Sequence, residues 1–178
     1  MEEPDQTLQI IIDLAVKRWQ RSTRQVTTFF STDDTAFYQQ TIAPGKNRAT
    51  WILGHLITAY DELFPLLGFN ERYFPAMPAF YYVADRSFEG TAYPSFEELK
   101  RRWQLITEKL DQRIKNMPPE SWLEPHGRAS AEQFKLDPTR NKLAVLLNNF
   151  IHTNHHIGQL YLMNQPAPSK ADVHQPSK

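Results

Sequence analysis

The chain has 178 residues, 40% of them apolar, with equal numbers of acidic and basic side chains and a pI of about 7.0. That is enough chain for one self-standing domain, and its charge is too balanced to favour nucleic acid or an anionic membrane surface as a partner. Cysteine is absent, which excludes disulfides, thiolate nucleophiles and cysteine-ligated zinc, so any sulfur chemistry would have to use a thiol from outside.

The opening segment MEEPDQTLQI carries acids where a secretory leader needs positive charge, and Asp13 cuts the apolar run that follows. Neither a secretory signal nor a membrane span is expected, and the cytoplasm is the expected location. Residues 6–30 place Leu8, Ile12, Ala15, Trp19, Val26 and Phe29 at helical spacing, which predicts a first helix with one buried stripe. Turn formers in residues 31–47 end it. A second helix is expected from about Asn47 to Leu67, with Leu56, Tyr60, Leu63 and Leu67 facing inward and Gly68 closing it.

Residues 68–94 mix prolines with aromatics and lose any long period, so they read as a connection packed by its own rings. Ser95 and Glu98 form a capping-box pattern that opens a third helix. Its stripe is Phe96, Leu99, Trp103, Ile106, Leu110 and Met117, and the sequence MPPE stops it. Residues 118–137 form a second long connection. A fourth helix follows, with Asp137 as cap and Pro138 in the first turn, running to about Gln165. The polar, proline-rich tail 166–178 is expected to be disordered, which leaves residues 1–165 as one domain. Four amphipathic helices and no convincing strand predict an all-α, four-helix-bundle fold. The long connections after helices 2 and 3 leave the relative directions of the helices open.

The stretch NNFIHTNHHIGQL, residues 148–160, holds three of the six histidines. His152 and His156 are four apart and share one face of a helix. Taken alone, such a pair is equally well explained as two polar groups on a helix edge. A third candidate is His55, which sits among Trp51, Ile52, Leu53, Leu56 and Ile57 on the second helix. Singly it would be a core histidine with one hydrogen bond. A lone histidine on one helix and a pair on another nonetheless fit the way bundles build metal sites from facing helices. Gly54 and Gly158 stand beside these residues, where a close approach of backbone or substrate would justify a helical glycine.

Other metal architectures fail: no Glu-x-x-His and no His-Glu-x-x-His motif is present, and residues 139–165 contain no acid. An ion held by neutral imidazoles would keep most of its charge and act as a Lewis acid. Glu62, on the face of His55, and Asn148, one turn before His152, are candidates to orient a ligand ring. A solvated surface position is the simpler reading of Asp61 and Glu62. Tyr73, Phe80, Tyr81 and Tyr82 are candidate pocket walls, with simple packing as the alternative. His126, His155 and His174 are not assigned to the metal.

NRATWILGHL, followed about a hundred residues later by HTNHHIGQL, resembles the DinB/YfiT-like family of metal-dependent enzymes. His55, His152, His156, Gly158 and Gln159 stand where the family pattern places them, although Ile157 occupies a position where that pattern often carries a basic residue. The resemblance covers roughly residues 6–165. It implies an up-down-down-up four-helix bundle and a three-His site for nickel, zinc or another divalent ion. It also implies a small-molecule substrate, in some members a low-molecular-weight thiol, and a homodimer. The expected function is a hydrolase or thiol-dependent transferase that activates water or an external thiol. The alternative is a helical bundle that binds metal or ligand without turnover.

Overall fold

The computed structural model describes residues 6–77, 81–82 and 93–163. Helices run at Gln6–Phe29 (α1), Thr35–Tyr38 (α2), Ala49–Asp61 (α3), Leu63–Leu66 (α4), Phe96–Lys115 (α5), Ala131–Leu136 (α6) and Lys142–Leu160 (α7), with a 3-10 turn at Pro119–Leu123. Among the described residues there is no β-strand; Thr41 with Arg48 and Pro125 with Asn141 form isolated antiparallel bridges. No described helix is long and apolar enough to cross a membrane. The tail 166–178, His174 and Phe80 lie outside the described residues.

α1 packs mainly on α7 and α3 on α5, with further contacts between α1 and α5 and between α3 and α7. Most of each predicted stripe is buried, Ile12, Ala15, Trp19, Val26 and Phe29 on α1 and Phe96, Leu99, Trp103, Ile106 and Leu110 on α5, while Leu8 and Met117 are only half-buried and Met117 lies past the end of α5. Three polar contacts pin the layers. Trp19 Nε1 donates to Asn149 Oδ1 across α1 and α7 at 3.1 Å, and Trp103 Nε1 donates to Thr27 Oγ1 across α5 and α1 at 2.9 Å. Tyr60 Oη lies 3.0 Å from Thr23 Oγ1. Each satisfies a group whose burial without a partner would be costly.

α3 is the innermost element. Every residue in it is buried except His55 and Ala59. These two are four apart, so they share one face, and that face is the only part of α3 left to build a site.

The second helix ends earlier than the apolar spacing predicts. Pro65 has no N–H to give the carbonyl of Asp61, so the helix breaks at Glu62 and α4 adds one short turn. Gly68, at φ 91°, closes that turn. The fourth helix starts later than expected. Asn141, not Asp137, is its cap, accepting from Ala144 N at 2.9 Å. Asp137 instead ends α6 and accepts from Thr139 N. The connection 118–137 is less irregular than predicted, since it contains the 3-10 turn and α6. At α5 only half of the expected capping box forms: Ser95 Oγ accepts from Glu98 N, while the Glu98 carboxylate pairs with Arg101 and Arg102. A complete box occurs at Ser130 and Gln133.

Asp61 is fully buried, which corrects its reading as a solvated acid. Its carboxylate accepts from Arg72 Nε at 2.8 Å, Tyr73 N at 2.7 Å and Phe74 N at 3.2 Å. It therefore ties the connection after α4 to the end of α3. Asp61→Ala would leave two backbone donors and a guanidinium unpaired, and is expected to cost about 3 kcal/mol. A lowered urea midpoint with an unchanged m-value is the expected result; an unchanged midpoint would refute the anchoring role.

Candidate metal centre

α3 supplies His55, and one turn of α7 supplies His152 and His156. His152 Nε2 lies 3.0 Å from His55 Nε2 and 3.1 Å from His156 Nε2. The ligand atoms of the three residues lie within 4.8 Å of one another, and the group could hold a metal ion. Two imidazole nitrogens bound to one ion at about 2.1 Å would be about 3–3.4 Å apart for ordinary ligand angles. The observed separations agree with that spacing.

The far sides of the rings show which nitrogens are free. His55 Nδ1 lies 2.7 Å from the carbonyl oxygen of Tyr81. A carbonyl only accepts, so Nδ1 carries the proton and Nε2 keeps its lone pair. His156 Nδ1 lies 2.9 Å from Gln159 Oε1, and the same amide donates through Nε2 to His155 Nε2 at 2.9 Å. That network makes His156 Nδ1 a donor as well and leaves its Nε2 with a lone pair. Two lone pairs are thus aimed at His152 Nε2. A neutral His152 has at most one proton to offer there, so hydrogen bonding alone leaves the cluster short of donors. A divalent cation would satisfy all three nitrogens.

All three rings are held neutral. Burial pushes the His55 pKa below its ordinary value, partly offset by the Tyr81 hydrogen bond. His152 is lowered to about 4, chiefly by burial and then by the neighbouring His55 and His155. His156 falls to about 3, again from burial first and then from His55 and His152. Neutral imidazole is the form that ligates metal.

Two close contacts hold His55. The Trp51 ring stacks on it at 5.1 Å with an 8° interplanar angle. Tyr81 lies so close to Gly54 that a Cβ there would overlap its ring, so glycine at 54 leaves room for the Tyr81 ring, whose own carbonyl meets His55. Gly158 faces open space; no contact explains it.

A cavity of about 500 Å³ adjoins the cluster, lined by His55 and His152 on one side and by Glu62, His126, Arg128 and Arg140 among others. Of the expected pocket walls, Tyr82 lines it. Tyr81 is buried against Gly54, and Tyr73 packs on Phe64 and donates to Glu71. Neither expected orienting residue bonds a ligand ring. Asn148 lines the cavity, and Glu62 pairs with Arg72 and Arg128. The orienting groups are the Tyr81 carbonyl and Gln159. Gln159 lies three residues after His156 on the same helix, a signal the sequence did contain. His155 is exposed and lies outside the cluster.

Fold and site together define an all-helical protein with a three-imidazole cluster that could hold a metal ion beside a cavity. The family model of the DinB superfamily matches residues 17–160, and the chain belongs to that superfamily. No curated protein matches it.

The lowered pKa values make the metal-free protein pH-sensitive. Unfolded histidines titrate near 6.5, whereas folded His152 and His156 resist protonation until about 4 and about 3. The unfolded state therefore binds more protons in this window. The stability contribution is complete above about pH 6.5 and is lost as pH falls towards the folded values. Metal-free wild type should lose more stability between about pH 7 and 4.5 than the His152→Ala, His156→Ala variant, measured by urea midpoints. Parallel slopes would count against buried neutral imidazoles.

Proposed function

We propose that the protein is a divalent-metal-dependent enzyme that activates water or an external thiol for attack on a small molecule, as a hydrolase or a thiol-dependent transferase. The observation that carries this reading is the convergence of three Nε2 atoms beside a cavity large enough for a substrate, with the Nδ1 atoms of His55 and His156 already committed elsewhere. His55, His152 and His156 would hold the ion. When bound, it would act as a Lewis acid and lower the pKa of a water or thiol so that the nucleophile exists near neutral pH.

The chain's own residues do the rest. The Tyr81 carbonyl and Gln159 fix the tautomers and orientations of two ligand rings. Trp51 covers the outer face of His55 and keeps it partly dry. The chain contains no cysteine, so a thiol nucleophile would have to enter through the cavity. On this reading the four longer helices form an up-down-down-up bundle and the protein works as a homodimer, which sedimentation of the purified protein would test.

The central test is elemental analysis of protein purified without an affinity tag or added metal. Close to one equivalent of a divalent ion is expected in the wild type and none in His152→Ala, His156→Ala, with both remaining helical by circular dichroism. Turnover of activated esters, or of electrophiles with added thiols, should track metal content. Bound metal without any turnover would instead favour a non-catalytic metal protein, and no uptake even with nickel, zinc or manganese supplied would sink the metal reading altogether. Gln159→Leu leaves the three ligands in place but removes the acceptor for His156 Nδ1. It is expected to weaken metal affinity about 10- to 100-fold, measured by competition with a chelator.

A further inference from the structure

One positive charge on the cavity beside the histidines has no ion-pair partner among the described residues. Its lining includes one carboxylate, Glu62, and two guanidinium groups, Arg128 and Arg140. Glu62 is fully engaged. It pairs with Arg128 at 2.6 Å and Arg72 at 3.5 Å, and it accepts from the Tyr82 hydroxyl. Arg140 is different. Its Nε is buried and has no hydrogen-bond partner, and its guanidinium makes no ion pair among the described residues. The nearby Asp137 carboxylate feels the Arg140 charge but makes its hydrogen bonds to Thr139, not to the guanidinium. A buried, unpaired donor on a permanently charged group is costly and calls for an acceptor.

The backbone around Arg140 is held firmly. The Arg140 carbonyl accepts from His126 N at 3.1 Å, and Lys142 N donates to the Glu124 carbonyl at 3.1 Å. Gly127 N donates to the Leu66 carbonyl at 2.9 Å, and a Cβ at Gly127 would collide with the Pro65 carbonyl. The strap that carries His126, Arg128 and Arg140 is thereby fastened to α4, which follows the helix bearing His55. The cationic groups and the histidine cluster face one cavity in a fixed relation. Leu63, Leu66 and Val145 supply its apolar lining.

We propose that Arg140, assisted by Arg128 and His126, is an anion-binding residue that seats a carboxylate or phosphate group of the substrate in the cavity that His55 and His152 also line. Arg140 lines that cavity, and a planar guanidinium suits the paired oxygens of either anion. The substrate is then a small molecule with an anionic group, an apolar middle and a reacting end at the histidine cluster. This rests on the reading of the cluster as an active site, but the anion site itself can be tested without it.

The test is a titration of isotope-labelled protein with succinate, with inorganic phosphate and with neutral succinamide. The Arg140 Nε–H resonance is followed, identified by its loss in Arg140→Lys. At least one anion should move that resonance and succinamide should not; which anion does so separates a carboxylate from a phosphate ligand. Arg140→Gln should weaken anion binding at least about tenfold while its metal content matches the wild type. The His152→Ala, His156→Ala variant should still bind the anion, so a failed metal site and a failed anion site give different results. The proposal is overturned if neither anion shifts the resonance at concentrations up to about 50 mM, if Arg140→Gln binds as well as wild type, or if binding vanishes only in the histidine variant. The wild-type resonance decides the question even if Arg140→Gln does not fold.

Discussion

An imidazole has two nitrogens, and the site depends on which of them is used up elsewhere. The hydrogen bond from His55 Nδ1 to the Tyr81 carbonyl makes that choice for the ring delivered by α3. Gln159 makes it for His156 on α7. With both Nδ1 atoms acting as donors, both Nε2 lone pairs meet at His152. Had either acceptor been missing, the tautomer would have been free to invert, and the cluster could have closed on itself as an ordinary hydrogen-bonded core.

The fold serves this arrangement by surrounding α3. A helix buried on nearly all sides has little freedom to rotate or slide, so the single face holding His55 and Ala59 stays in register with α7. Burial also keeps the rings neutral, because a charged imidazole would lose its hydration there. The Asp61 carboxylate performs the matching task at the end of the helix, where it captures two backbone N–H groups and an arginine. The connection that begins there later supplies Tyr81, and the strap from Glu124 to Asn141 closes the other side of the cavity.

Much of this was legible in the residues. The long helices followed from apolar spacing, since a buried stripe needs that period whatever its neighbours are. The triad followed from a pair spaced by one turn plus a lone histidine in an apolar segment. What failed was set by contacts distant in sequence. Asp137 and Asn141 are both competent caps; Asn141 prevails where it bridges to Pro125 and its neighbours Arg140 and Lys142 bond to His126 and Glu124. Asp61 looked solvated because a charge on a helix usually is, and its backbone partners lie 12 and 13 residues away. The Tyr81 carbonyl carried no signal at all, because every residue has one. Pro65 and Gln159, in contrast, announced their roles locally.

The acceptor that orients His55 belongs to the main chain, not to a side chain. Substituting residue 81 would leave the oxygen in place so long as the chain kept its path; what the bare Cα of Gly54 admits is the Tyr81 ring. Positions 54 and 81 are therefore a matched pair: the bare Cα before the ligand is needed only while a large ring follows the carbonyl that orients it.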